Sequence, residues 1–392
     1  MYKKRGGIET SSINGALIAL VFCMQILTKL LALFIAIPYN IVIMECIAAL
    51  LMILLNKGKM LLSRPLSVML VIVGLIFAQS AILTAAQGIF VQRVLHFVMY
   101  GFFSAFCIQF DFDEKSLRRT VMYCGLLYTA YLYMYAIKWL VAGAMSVDDT
   151  MDLAYTSLVP MFAAIWTLID KDRLFNRFIA LLVIASIGYF ILMYSANRGA
   201  LVALMCFVVI IFLGNIRSTT KRTIVLISVI CIGVVLICNL LPVLEWINDK
   251  AMANGYVIKP LFKMIQEFNN ADNIGSGRGG LYQWALDILK GNYFIPSGVG
   301  SFYLATGHEY PHNMLIELGL EIGLHAIVFC FYLIFRAFRQ MLYDQTENSK
   351  LLVFLFCLSI PRLMVSSTIW ENFYFWPMIV LLFDGCSRKN VR

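Results

Sequence analysis

Three short stretches of the chain gather residues able to hold an anion and move a proton. The first is Ser195-Ala-Asn-Arg198-Gly199-Ala200. Arg198 stands where an apolar run of helical length begins. A guanidinium beside the free N–H groups of a helix start favours a bound anion; a plain turn with an interfacial arginine is the competing reading. The second is Gly275-Ser-Gly-Arg278-Gly279-Gly280. Its glycines let backbone approach a ligand closely and Arg278 adds charge, although the start of a flexible loop reads equally well. The third is Tyr310-Pro311-His312-Asn313, followed by Glu317, Gly319, Glu321 and Gly323. Asn313, Glu317 and Glu321 recur every fourth position and so share a helix face, while Gly319 and Gly323 form a small-xxx-small pair. Carboxylates within an apolar helix are costly unless paired or functional. Glu317 is therefore either a structural partner of an arginine or part of a site. His312 suits a general base or a positioner of a hydroxyl, with helix capping as the bland alternative.

Four further basic residues, Lys29, Arg93, Lys138 and Arg362, fall inside apolar runs. A charge near the bilayer centre costs roughly 2.5–3.5 kcal/mol on insertion scales. Snorkelling to the headgroups removes much of that cost. Arg93 has His96 one turn on and Arg362 follows Pro361, so these two also suit a cavity. In the sharper reading several of these charges converge on a polyanion, because the planar arginine fork pairs with phosphate oxygens.

The elements that must position these residues are membrane helices. The 392 residues are 61% hydrophobic and 14% charged, with a mean hydropathy of +0.83. A soluble domain needs far more charge, and the apolar residues come in runs of about 20, the length of a spanning helix. A barrel would show short alternating strands instead. The spacing predicts an all-α polytopic membrane protein with about 12 transmembrane helices, near 13–33, 36–55, 66–86, 88–109, 119–141, 152–169, 176–195, 199–214, 223–243, 312–335, 351–369 and 372–385. Three regions follow: 1–243 with helices one to nine, a large polar loop over 244–311 between helices nine and ten, and 312–392 with helices ten to twelve and a tail. Within the loop, residues 281–290 predict a short helix with Leu281, Trp284, Ala285 and Ile288 on one face. The first apolar run is too long for a signal peptide and reads as a retained helix.

Charge fixes the orientation. Twenty-one of the 31 lysines and arginines fall in seven segments of three on one side of this topology, among them Lys115, Arg118 and Arg119, and Lys171, Arg173 and Arg177. The short loops on the other side have almost none, and the one at Asp148, Asp149 and Asp152 is acidic. By the positive-inside rule both termini are cytoplasmic and the three motifs face outward. The net charge of +9 is thus a topology signal, not a nucleic-acid surface. None of the ten cysteines falls in the long loop, so they read as apolar packing residues. No Cys/His cluster has metal spacing, and no cofactor is expected.

Taken together, Ser-Ala-Asn-Arg-Gly-Ala at 195–200, Arg278 followed by Trp284, Pro296-Ser-Gly298-Val-Gly300-Ser-Phe302, and Pro311-His312-Asn313 with Glu321-Ile-Gly323 resemble the O-antigen polymerase and O-antigen ligase superfamily. The resemblance runs over roughly 150–340. Two positions depart from its pattern. Asn197 stands where a hydroxyl residue often precedes the arginine, and Ala326 replaces a second glycine. The resemblance implies a metal-independent glycosyltransferase of the bacterial inner membrane, working at the periplasmic face on glycans linked to undecaprenyl diphosphate. Membrane lipid, a chain-length regulator and a flippase are the implied surroundings. In that scheme Arg198 and Arg278, with Arg93 and Arg362, neutralise the diphosphate; His312 accepts the acceptor's proton; Glu317 orients His312 or an arginine; and Asn313 and Glu321 belong to the substrate site. The Tyr-Pro-His-Asn wording favours a polymerase of repeat units, with ligation to lipid A core as the alternative.

Overall fold

A computed structural model describes residues 5–34, 40–58, 62–84, 86–141, 147–195, 197–216, 218–269, 278–291, 295–344 and 348–389. Every regular element among these residues is helical. Among the described residues seven helices are long and apolar enough to cross a membrane: Arg64–Leu83, Gln87–Cys107, Glu114–Leu140, Asp149–Ile169, Leu174–Met193, Arg198–Asn215 and Leu324–Tyr343. The bent pair Thr10–Phe22 and Met24–Leu31 makes an eighth if counted as one span, and Ile41–Leu55 and Phe375–Asp384 are shorter apolar helices. The chain is a multi-pass membrane protein.

Two runs expected to be continuous are broken. The first helix bends by 68° between Phe22 and Met24. The Tyr374 hydroxyl donates to the Phe22 carbonyl at 3.0 Å, and a side chain entering the helical ladder is a sufficient cause of a kink. The tenth helix, expected over 312–335, instead runs Met314–Glu321 and resumes as Leu324–Arg339. Gly323 sits between them at φ 110°, a conformation that disfavours any side chain. The glycine read as a packing surface is therefore a helix breaker. Similarly, the eleventh helix ends at Leu363, and a short turn Ile369–Glu371 precedes Phe375–Lys389. At these breaks polar side chains such as Thr368 lie buried and bond other segments.

Two helices form the centre. Ser349–Leu363 is buried along almost its whole length, with Phe354 packed against Phe22, Phe162 and Trp166. Val147–Ile169 lies beside it, Phe162 stacked on Phe207 at 4.1 Å. Its Pro160 meets Gly125, where a side chain would collide. Both central helices carry charge at each end. At one end Asp170 bonds Arg118 and Lys350, and Asp172 bonds Arg119 at 2.8 Å. The Arg119 hydrogen bond holds the Asp172 carboxyl well below the usual carboxylate range. At the other end Asp152 bonds Lys29 and faces Arg362. The rise from Asp152 to Asp170 is about 27 Å at helical pitch, which matches a ~30 Å hydrocarbon core. The bundle thus has two polar ends a membrane's thickness apart.

Within 244–311 the described residues form further helices, among them Lys259–Asn269, Arg278–Gly291 and Ser301–Thr306. The expected short helix is present and slightly longer than 281–290. Ala285, Leu289, Phe302 and Leu320 form a small separate core, with Leu281 and Ile288 packed on it. Trp284, expected on the same face, lies 51% exposed.

Candidate functional site

The site lies at the Asp152 end. Arg362 closes the central helix Ser349–Leu363, one residue after Pro361. Its guanidinium lies 5.0 Å over the ring of Tyr155, Nη2 is 3.6 Å from Asp152 Oδ1, and the buried Nε has no hydrogen-bond partner among the described residues. Lys29, on the short helix Met24–Leu31, reaches the same carboxylate, Nζ to Oδ2 at 2.7 Å.

Arg198 opens the next contributor. Asn197 is the N-cap, its Oδ1 accepting from the Ala200 N–H at 3.1 Å. The residue that departs from the superfamily pattern thus performs a standard capping role. Gly199 explains the rest of the motif: a Cβ there would collide with the Tyr155 hydroxyl and press on Val365. The start of this helix therefore abuts the ring that supports Arg362.

Arg93 is placed differently. It is 1% exposed, bonded to Glu371 and lying 3.4 Å from Glu309 Oε2, with the Tyr310 ring 5.9 Å away. His96 Nδ1 contacts the same Glu371 at 2.8 Å. Burial would push the Glu371 carboxyl up, but the hydrogen bond to His96 and the charge of Arg93 outweigh it and hold it below its ordinary value. A π-helical turn, Phe97–Phe102, follows at once. Its Gly101 has no room for a side chain beside Trp376. Such turns often mark functional sites.

Tyr310 joins the clamp to the histidine. Its hydroxyl donates to the Ser366 carbonyl at 3.2 Å, and its ring meets the His312 ring edge-on at 4.5 Å. Burial pushes the Tyr310 phenol up to about 12. His312 is half-buried, with φ 56°. Asn313 is an N-cap, its Oδ1 accepting from the N–H groups of Leu315 and Ile316 at 3.0 and 3.3 Å.

The two glutamates do share a face and are buried. Glu317 accepts from the Thr368 hydroxyl. Glu321 accepts from the Trp370 indole at 2.7 Å and from the Gly300 N–H at 2.9 Å. They therefore fasten the broken-helix segments 297–300 and 368–370 together. The Pro296–Phe302 motif is the other half of that fastening. Gly298 and Gly300 have φ of 86° and 81°, and the Val299 N–H donates to the Ser80 hydroxyl at 3.0 Å.

The structure thus brings Arg362, Lys29, Asp152, the start of the Arg198 helix, Tyr310, His312 and the Arg93 clamp to one end. Lys138 is exposed. The Arg278 side chain and residues 275–277 lie outside the described residues. Glu371, Glu309, Tyr155 and Trp370 did not stand out in the sequence, and Asp152 read only as part of an acidic loop. A signal existed for Glu371: it is a lone charge inside the aromatic run Ile369–Trp376. Among the described residues no three His, Cys, Asp or Glu side chains are grouped to hold a metal ion.

Fold and site together define a multi-pass membrane protein with a cluster of charged and polar side chains at one end of its helical bundle. Residues 179–331 match the family Wzy_C, described as O-Antigen ligase. The likeness covers less than half of the chain and is a similarity of that segment to the family. The matched segment holds Arg198, Arg278, His312, Glu317 and Glu321. No curated protein and no solved structure matches the chain.

Proposed function

We propose that this protein is a glycosyltransferase that polymerises oligosaccharide repeat units carried on undecaprenyl diphosphate at the periplasmic face of the inner membrane. The observation that carries this reading is the convergence of Arg362, the Arg198 helix start and His312 at one end of the bundle, in a chain whose 179–331 segment matches the family. A lipid diphosphate needs cations at the membrane boundary, and the acceptor hydroxyl needs a base beside them. The acceptor oxygen attacks the anomeric carbon, the bond from that carbon to the diphosphate oxygen breaks, and the lipid diphosphate departs with the bonding pair. His312 takes the hydroxyl proton. Arg198, Arg278 and Arg362 stabilise the charge that develops on the leaving oxygen, the kind of preorganised electrostatic help that is usually the largest contribution to catalysis. Arg93, closed in by Glu371 and Glu309, acts by positioning Tyr310, and Glu317 and Glu321 hold the segments on which the site is built. Asn313 caps the helix that follows His312 and places it near the sugar.

The lipid tail has a place to go. An apolar cleft of about 1000 Å³ runs between the helices Arg64–Leu83, Leu324–Arg339 and Phe375–Lys389, bordered by Leu75, Ile76, Leu318, Ile369 and Phe375. Leu318 and Ile369 adjoin Glu317 and Thr368, so the cleft ends beside the polar site. Twelve spans with cytoplasmic termini and an outer 244–311 loop belong to the same reading.

The family description, O-Antigen ligase, favours a second reading in which the glycan is moved to lipid A core. One assay separates the two. Purified protein given lipid-linked repeat units alone is expected to lengthen them. Product that forms only when core lipopolysaccharide is added makes it a ligase, and no product with either acceptor overturns both.

A further inference from the structure

Lys29, Asp152 and Arg362 form a triad that lies wholly outside the matched 179–331 segment. A single carboxylate bridges two cations, at 2.7 Å to Lys29 and 3.6 Å to Arg362. The three side chains are 24%, 35% and 20% exposed, against 1% for Arg93. A solute at the polar end can reach the triad, whereas the Arg93 clamp is closed to it.

The cations are held by more than Asp152. One turn before Lys29, Gln25 accepts a hydrogen bond from the Thr156 hydroxyl at 3.2 Å, and Tyr374 secures the helix break at Phe22. Arg362 lies on the Tyr155 ring, a cation–π contact that keeps its plane fixed. Asp152 meanwhile leaves Arg362 under-used. The 3.6 Å contact is longer than a hydrogen bond, and the buried Nε donor is unpaired among the described residues. A buried donor without a partner is costly and calls for an explanation. A diphosphate supplies what the carboxylate lacks, namely more negative charge and more acceptor oxygens, in a geometry the guanidinium fork matches.

Resting on the lipid-diphosphate reading above, we propose that Asp152 is a stand-in counter-ion occupying the place that the donor's diphosphate takes between Lys29 and Arg362, and that Lys29 is a further phosphate-binding residue. Without donor, the carboxylate keeps two like charges from repelling each other across a partly desolvated gap. When donor arrives, one anion replaces another, and the cations need not be stripped of a hydration shell.

The test is binding of geranyl diphosphate to the full chain in nanodiscs, read by calorimetry at fixed salt. Lys29→Gln and Arg362→Gln are each expected to weaken binding about tenfold, roughly 1.4 kcal/mol. Asp152→Asn is expected to tighten it several-fold, because a competing anion is gone. Asp152→Ser serves as the second variant, both being judged on protein that melts as the wild type does. Affinity unchanged or weakened in the Asp152 variants, or unchanged in Lys29→Gln, overturns the proposal. The functional reading is scored separately, by glycan product. Tighter binding without product leaves the triad standing and removes the glycosyltransferase, and product without tighter binding does the reverse.

Discussion

His312 adopts a left-handed backbone conformation, φ 56°, between Pro311 and the N-cap Asn313. For a residue with a Cβ that conformation is disfavoured by about 1–2 kcal/mol. Strain of this kind persists where the surroundings over-determine it, which happens most often at working sites. A histidine kept only to cap a helix would not need it, since Asn313 already caps. His312→Gly removes the imidazole and the Cβ strain together. Its melting temperature is expected to stay within a few degrees of wild type while glycan product falls about 10²-fold or more. Equal loss of stability and product would return His312 to a structural role. Gly199→Ala is the converse case. The new methyl must displace the Tyr155 hydroxyl, and with it the ring beneath Arg362. Activity is expected to fall with Arg198 itself intact, and Gly199→Ala combined with Tyr155→Phe is expected to recover part of it. No recovery in the double variant would count against the steric argument.

At the scale of elements, the site is built from breaks. The turn Ile369–Glu371 is held by Arg93 and His96 from another helix, and Glu371 titrates below its ordinary value because of them. A carboxylate with a lowered folded-state value stabilises above its unfolded value of about 4.3 and loses that contribution as pH falls through the folded one. Glu371→Gln is therefore expected to lower the melting temperature clearly and evenly from pH 7 down to about 4.3, with the gap to wild type closing only as pH falls further, through the lowered folded-state value. A gap that stays constant with pH would show that the charge is not what holds the turn. The same breaks explain what the sequence could and could not disclose. Spanning helices announce themselves because about 20 apolar residues in a row have no other use, and the motifs at 195–200 and 310–313 were legible because glycine, proline and charge interrupt such runs. The kink at Phe22 was not, because it depends on Tyr374, 352 positions away. Likewise the burial of Arg93 depends on Glu371, 278 positions on. In the sequence Arg93 read either as a snorkelling charge or as one facing a polyanion; the distant carboxylates close it into a clamp.

At the scale of the whole molecule, the two polar ends must lie on opposite sides of the membrane if the substrate reading holds. One end is a network in which Asp170 and Asp172 gather Lys115, Arg118, Arg119 and Lys350. The other is the partly exposed cluster of Lys29, Asp152 and Arg362. Their separation follows from one continuous helix, so a single labelling experiment tests both. In a cysteine-free background, cysteine placed at His308, exposed near the site, is expected to react with a membrane-impermeant maleimide in intact spheroplasts. Cysteine placed at Lys171, exposed beside the network, is expected to react only after permeabilisation. Reaction of both from outside would mean the central helix does not span. The reversed pattern would put the arginines and His312 on the cytoplasmic side, away from any glycan presented in the outer leaflet. The charges argue for the first outcome: basic segments retained inside pair with acidic partners, while the cations left half-exposed at the far end are those that a lipid-borne anion could meet.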